Sequence, residues 1–316
     1  MTQIDKAQAR TDRVAQRYQR LLSDAESPHE WSYAWRREIN RGGFRAVDFL
    51  MKAVVDEGKC VGCASCLTVC PVDVFDYIDE QPKDTREQAC VQCILCVDAC
   101  PVLRPVDQDL SEFLRFRTPA KDEGYGPYAY GVYARATDDE ILARGQDGGM
   151  VSALLIHGLQ QGTLAGAVLG DVTEEDSQIG TQTLATDRKS ILACAGSRYT
   201  YSPNTIALQD AVRRNIRPLA VVGVPCQVDG VRLQQNSGIN LDLPRWYRNN
   251  VSLVIGLFCS EAFTHESIQK LAEIIEVKPS RIENINIKGK VVVRLDDGEV
   301  VTASLKKYRE FARPAC

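Results

Sequence analysis

The chain has 316 residues, 44% of them hydrophobic and 25% charged. That is a globular composition with ample material for a core, and at roughly 150 residues per domain it predicts two domains. Its 38 basic and 42 acidic side chains leave a net charge of −4, which excludes the basic footprint that a nucleic-acid partner selects. The opening residues form no apolar signal segment, and the longest apolar stretches, 219–225 and 251–259, fall far short of the roughly 20 residues of a membrane span. No membrane span and a cytoplasmic location are therefore expected. Twelve cysteines in such a chain point to metal ligation or redox work rather than to a disulfide framework.

Taken in chain order, residues 1–50 read as a helical N-terminal extension. Val14, Tyr18, Leu21 and Leu22 recur at near-helical spacing among charged neighbours, and Ser27-Pro28 interrupts them. Such a helix either faces solvent or docks on a partner subunit. Residues 51–118 hold two cysteine runs and the start of a linker, a charged stretch from Pro105 to Pro127 that contains Pro119, Gly124 and Gly126. Residues 119–316 alternate short apolar runs with helical stretches. Strands are expected at 128–134, 165–170, 219–224 and 251–258, a helix at 150–159, and a hairpin over 284–304 with its turn at Asp297-Gly298. The whole reads as an α+β ferredoxin-like two-cluster module followed by an α/β domain with a mostly parallel sheet.

The first run is Cys60-Val-Gly-Cys63-Ala-Ser-Cys66-Leu-Thr-Val-Cys70-Pro71, and the second is Cys90-Val-Gln-Cys93-Ile-Leu-Cys96-Val-Asp-Ala-Cys100-Pro101. Three cysteines on a tight loop can wrap one cubane, while the fourth, on the helix that follows, points at the other cluster. Cys60, Cys63, Cys66 and Cys100 are thus expected to hold one 4Fe-4S cluster, and Cys90, Cys93, Cys96 and Cys70 its neighbour. Pro71 and Pro101 redirect the chain after each fourth ligand. Val72, Val74, Phe75 and Tyr77, between the runs, are expected to form a small strand pair that keeps water off the sulfurs. Zinc also uses paired C-x-x-C motifs, but two runs of four with a duplicated C-P ending match bacterial-type ferredoxins with two clusters.

Four cysteines lie outside that module. Cys226 and Cys259 each follow an expected strand, where ligands of parallel sheets gather. They are either ligands of a third cluster or small buried apolar residues. Cys194 reads as packing, and Cys316 is the last residue. Gly148 and Gly149 precede the expected helix at 150–159, so backbone N–H groups there can approach a phosphate or a flavin edge. Residues 195–204 gather hydroxyls, a glycine and Arg198, a combination that suits either a dinucleotide or an ordinary surface loop.

In that order, Gln146-Asp-Gly-Gly-Met-Val-Ser-Ala-Leu-Leu155, Gly196-Ser-Arg-Tyr-Thr-Tyr-Ser-Pro-Asn204, Val222-Gly-Val-Pro-Cys-Gln227 and Gly256-Leu-Phe-Cys259 resemble the beta-subunit family of coenzyme F420-reducing hydrogenases. That family also includes the beta subunit of F420-dependent formate dehydrogenase and the electron-input subunit of the F420H2 dehydrogenase complex. The resemblance runs from about Tyr128 to the last residue. It implies an FAD-binding oxidoreductase domain with a 4Fe-4S cluster beside the flavin, coenzyme F420 as substrate, and a partner redox subunit. It further implies flavin contacts from Gln146, Asp147, Gly148, Gly149, Ser152, Gly196, Ser197, Arg198, Tyr199, Ser202 and Asn204. Arg198 stands where lysine is common in relatives. Cys226 and Cys259 match the family's cluster cysteines and Cys316 is a further candidate. The family usually continues with another closely spaced cysteine and more sheet, so either the chain is truncated at Cys316, or the third cluster lacks its usual fourth ligand, or Cys194 or a partner supplies it.

Electron counting then fixes the expected mechanism. Deazaflavins move two electrons as hydride, clusters move one at a time, and a flavin converts between the two. Hydride would pass between coenzyme F420 and FAD, and single electrons between FAD, a cluster at Cys226 and Cys259, the two ferredoxin clusters and a partner. Two alternatives stand beside this: a ferredoxin-dependent reductase of another substrate, as in relatives that reduce chlorophyll intermediates, and a wiring subunit without a substrate of its own. His29, His157 and His265 carry no assigned role. Anaerobically purified chain should hold about eight irons for two clusters or about twelve for three. Metal analysis that returned zinc, or no iron, would reject the cluster reading.

Overall fold

In a computed structural model of the chain, the structure describes residues 45–103, 130–173 and 178–316, with Arg37, Arg41 and Gly43 as isolated positions. The expected helical extension and the linker after Pro105 lie outside the described residues, apart from those isolated positions and the start of the first helix.

The cysteine module begins with α1 (Ala46–Leu50), which widens into a π-helical turn over Met51–Val55. Each cysteine run then folds as a loop ending in a one-turn helix, α2 (Ser65–Thr68) and α3 (Leu95–Asp98). The two loops repeat one backbone shape. Gly62 and Gln92 are left-handed (φ 64° and 59°), as are Ala64 and Ile94 (φ 60° and 62°). Left-handed backbone is cheap for Gly62 but strained for a β-branched residue such as Ile94, so the surroundings must hold it there. A two-stranded antiparallel ribbon, β1 (Asp76–Ile78) and β2 (Gln81–Lys83), separates the runs. It lies slightly later than expected: Val74 and Phe75 are buried before it rather than within it, and the turn at Asp79-Glu80, both left-handed, sets the register.

The second module opens with α4 (Asp139–Arg144) and α5 (Met150–Gln160). Its sheet comprises β3 (Gly166–Val172), β4 (Gly180–Ala185), β5 (Leu219–Gly223) and β6 (Val251–Gly256), in the order β4-β3-β5-β6. The β3/β5 and β5/β6 pairings are parallel and β3/β4 is antiparallel. Between these strands run α6 (Arg188–Ala193), α7 (Ala207–Arg213), α8 (Pro225–Gln235) and α9 (Asp242–Asn250). β5 is buried along its whole length, as expected of a central parallel strand. After α10 (Glu266–Ile274), β7 (Ile282–Ile287), β8 (Val291–Leu295) and β9 (Val300–Ala303) make a separate antiparallel sheet, followed by α11 (Leu305–Tyr308). The expected hairpin is therefore two of three strands, with Gly289 and Gly298 (φ 72° and 85°) at its turns.

Two further expectations change. β4 joins the sheet although its sequence, Gly-Thr-Gln-Thr-Leu-Ala, is too polar to show an apolar run. The described part of 128–134 is not a strand: Tyr130, Val132 and Tyr133 are exposed, and no sheet edge among the described residues pairs with them. Only their apolar character points to one.

The two modules share one core. Phe49, Leu50, Ile94 and Leu95 of the first pack in the same cluster as Leu208, Leu219, Val221 and Tyr247 of the second. Polar contacts lock the seam: Thr205 Oγ1 donates to the Cys63 carbonyl at 2.6 Å, Gln209 Nε2 to Leu67 O at 3.0 Å and the Tyr247 hydroxyl to Thr68 O at 3.0 Å. Leu219→Ala removes a fully buried side chain from this core and should destabilise the iron-loaded chain by about 3 kcal/mol. A denaturant midpoint unchanged from wild type would show that the modules do not depend on that contact.

Candidate functional site between thiols and a glycine cradle

A cavity of about 710 Å³ opens beside the carboxyl ends of β3, β5 and β6, within the 300–1,000 Å³ range of small-molecule sites. The segments at 145–152 and 194–202, together with Asn204, line one side. Cys63, Cys226, Cys259 and Cys316 line another, and Ile287 of β7 borders it. All eleven residues expected to touch a flavin therefore face one space, as do the three thiols expected beyond the ferredoxin module.

The first wall is built from backbone. Gly149 caps α5 in the left-handed conformation (φ 67°), and a side chain there would press on Ile141 at 2.7 Å. The Gly148 carbonyl accepts from Ala136 N at 2.8 Å, while a Cβ on Gly148 would lie 3.1 Å from Ala134 O. Only glycine keeps this approach open, and it presents the early N–H groups of an eleven-residue helix to the cavity. Gln146 is held by three contacts: its Oε1 accepts from Ser197 N at 3.0 Å, and its Nε2 donates to the Tyr199 hydroxyl at 3.3 Å and to Ile285 O at 3.5 Å. That hydroxyl also accepts from Ile287 N at 3.1 Å, which ties the cradle to the antiparallel sheet. Lys288 Nζ donates to Asp147 Oδ1 at 2.5 Å, an exposed ion pair over the same loop.

Ser202 and Asn204 serve the protein itself. The Ser202 hydroxyl shares its single proton between Thr181 O and Asn204 Oδ1, and Asn204 Nδ2 donates to Val222 O at 3.0 Å. Gln227, which the sequence did not single out as a site residue, reinforces them by donating to Ser202 O at 2.6 Å and accepting from Val224 N at 3.1 Å.

Arg198 is the group that fits an anion. Burial draws its guanidinium pKa down, with Cys194 and Asp171 opposing, and its buried Nε has no hydrogen-bond partner. Gly196 (φ 105°) leaves room beside Arg198 Nη1. A diphosphate would supply the missing acceptors, so the residues present fit a flavin dinucleotide. Cys194 lies on this side, with its thiol pushed up to about 12 by burial and by Asp171; it does not join the other cavity thiols.

The cysteines of the first module sort into two sets. After burial, the largest effect, the Cys66 thiol is raised by Cys63, Cys100 and Cys60, and the Cys100 thiol by Cys63 and Cys60. Cys96 is raised by burial and then by Cys93, Cys70 and Cys90. The fourth cysteine of each run is thus felt by thiols of the other, Cys100 by Cys66 and Cys70 by Cys93 and Cys96, while Cys96 also bears on Cys66. Backbone donors face the sulfurs, Gly62 N to Cys60 Sγ at 3.4 Å and Val74 N to Cys70 Sγ at 3.3 Å. A third set joins them: burial first, then Cys63, Cys316 and Cys259, raise the Cys226 thiol. Cys316 is held by its N–H to Arg313 O at 3.0 Å. Arg313 stacks 4.2 Å over the Tyr201 ring and donates to Cys60 O and Glu80 O, both at 2.9 Å. Arg313, which binds the tail to the first cysteine loop, belongs to no motif in the sequence. Among the described residues no three His, Cys, Asp or Glu side chains converge as they would on a single metal ion, and no helix is long and apolar enough to cross a membrane.

Comparison with known proteins matches residues 52–124 to a 4Fe-4S dicluster domain. Residues 131–209 and 216–316 match the N-terminal and C-terminal parts of the coenzyme F420 hydrogenase/dehydrogenase beta subunit. The coenzyme F420 hydrogenase subunit beta of Methanosarcina barkeri is 34% identical over 62% of this chain and 67% of its own length. The coenzyme F420-dependent sulfite reductase of Methanocaldococcus jannaschii is 28% identical over 83% of this chain and 40% of its own length. A chain in a solved structure of the F420-reducing [NiFe] hydrogenase complex from Methanosarcina barkeri is 33% identical with a TM-score of 0.53, covering 58% of this chain and 62% of that one. Because the two beta-subunit parts are matched over 131–209 and 216–316, this chain belongs to the coenzyme F420 hydrogenase/dehydrogenase beta-subunit family and carries a 4Fe-4S dicluster domain ahead of the family's two parts.

Proposed function

We propose that the chain is the iron-sulfur flavoprotein subunit of an F420-linked oxidoreductase complex, passing electrons between coenzyme F420 and a partner redox enzyme. The observation that carries this reading is the single cavity with two unlike walls. One wall has the glycine cradle and Arg198, and the other has Cys63, Cys226, Cys259 and Cys316. A dinucleotide held on the first wall has cluster ligands as its neighbours on the second.

In this reading Cys60, Cys63, Cys66 and Cys100 hold the first cluster, Cys90, Cys93, Cys96 and Cys70 the second, and Cys226, Cys259 and Cys316 contribute to a third. Bound FAD would supply the exchange between hydride and single electrons. The chain's own residues supply position and shielding. Gly148, Gly149 and the N–H groups that open α5 would hold the phosphates of a bound dinucleotide, and Arg198 would neutralise their charge. Gln146, fixed by Ser197 N and the Tyr199 hydroxyl, offers an amide already aligned at the cavity edge. Ser202, Asn204 and Gln227 stiffen the floor beneath. Ile287 and the antiparallel sheet behind it keep water from that end. The Cys226 thiol is raised by Cys63 and the Cys66 thiol by Cys96, which supports an electron path from the third set through the first cluster to the second.

Mixed anaerobically with reduced coenzyme F420, the full chain should bleach in its flavin and iron-sulfur bands as the oxidised deazaflavin absorbance appears. Unchanged deazaflavin with loaded flavin would overturn the substrate, and iron without any flavin would make the chain a wiring subunit. Arg198→Ala should weaken FAD binding about tenfold or more, the loss of one charge-assisted contact, while iron content stays at the wild-type value.

A further inference from the structure

One aromatic ring at the cavity stands on the outside of the protein. Phe258 lines the cavity and is 96% exposed, and its neighbour Leu257, also a lining residue, is 40% exposed. Tyr247, Phe263 and Tyr308 of the same module are at most 1% exposed. Tyr130 and Tyr133 are exposed too, but neither borders the cavity. A phenylalanine side chain gains most from burial, so one held in solvent beside a binding cavity marks a surface that a ligand covers.

The backbone fixes that exposure. Leu257 N donates to Gly223 O at 2.9 Å, so the ladder with β5 runs one residue past β6. The chain is extended as it reaches the cavity edge, and Gly256 and Phe258, two residues apart, fall on the same side of it. Gly256 is exposed and its backbone is not left-handed. A Cβ there would meet nothing closer than Val228 Cγ2 of α8, at 3.7 Å. Neither packing nor conformation calls for glycine, and a strand glycine of that kind often marks the close approach of a ligand. Bare backbone next to an exposed ring makes a flat step at the cavity mouth, which suits a planar molecule.

Two planar molecules enter the proposed function, a resident flavin dinucleotide and a deazaflavin substrate. The dinucleotide is assigned to the opposite wall, with the glycine cradle and Arg198. A cofactor that stays bound is held by groups within the cavity, whereas a substrate that arrives and leaves meets the protein at its solvent edge. We propose that Phe258, with the bare backbone of Gly256 beside it, is the platform on which the ring system of the deazaflavin stacks, and that this contact sets the affinity for that substrate. The inference rests on the proposed function, which supplies the substrate. The ring gives contact and orientation, and no bond to it is made or broken.

The test uses the full chain, purified under argon with its iron and flavin, reduced methyl viologen as donor and coenzyme F420 as acceptor. Two reduced viologens and two protons yield one reduced deazaflavin, read from the loss of its absorbance. Phe258→Ala should raise KM for coenzyme F420 about tenfold, the scale of one lost aromatic stack, with kcat, flavin and iron per chain equal to wild type. Phe258→Trp should restore the wild-type KM. An unchanged KM in Phe258→Ala at equal loading overturns the proposal. Loss of flavin from Phe258→Ala that Phe258→Trp restores also overturns it, because the ring would then hold the cofactor. Should the alanine variant fail to assemble, Phe258→Leu, which keeps an apolar side chain without the ring face, takes its place with the same expected rise. Wild-type protein that carries flavin and iron yet leaves coenzyme F420 oxidised discards the proposed substrate, and this inference with it.

Discussion

The molecule depends on how thiolate sulfur is buried. Cys66, Cys96 and Cys100 lie inside with burial raising each thiol, so as free anions they would be costly. Their position makes sense when a metal takes the proton's place and backbone N–H groups such as those of Gly62 and Val74 face the sulfurs. Both loops turn through left-handed backbone, at Gly62 and Ala64 in one and Gln92 and Ile94 in the other, and the packing of Ile94 and Leu95 in the common core holds the second.

From this follows the relation between the modules. A cysteine loop with so little secondary structure has few contacts of its own. α7, α9 and the turn before α7 provide the missing ones through Gln209, Tyr247 and Thr205, each donating to a carbonyl of the first loop or of α2. The same docking puts Cys63 on the wall of the cavity. The position of the loop and its stability therefore have one cause.

Much of this was legible in the sequence, for identifiable reasons. The two cysteine runs fix ligand types by spacing, and that same spacing is what assigns each fourth cysteine to the other run in the proposed clusters. Strongly apolar β3, β5 and β6 declared themselves, and Gly148-Gly149 before α5 marked the cradle. β4 did not, because an edge strand with one solvated face has a polar sequence, and the apolar run at 130–134 misled because exposure is invisible in composition. The seam was illegible: Tyr247, Thr205 and Arg313 belong to no motif, and their meaning comes from residues 140 or more positions away. Cys316, which the sequence placed at a loose end, lines the same cavity as Cys226 and Cys259, with Arg313 tying the tail to the first cysteine loop.

The shared core carries a consequence for engineering the chain. Leu219 and Val221 of the central sheet lie in the same apolar cluster as Cys66, Cys96 and Cys100, so the two halves are not separable pieces. Cutting between them would strip buried apolar surface from both the central sheet and the cysteine loops.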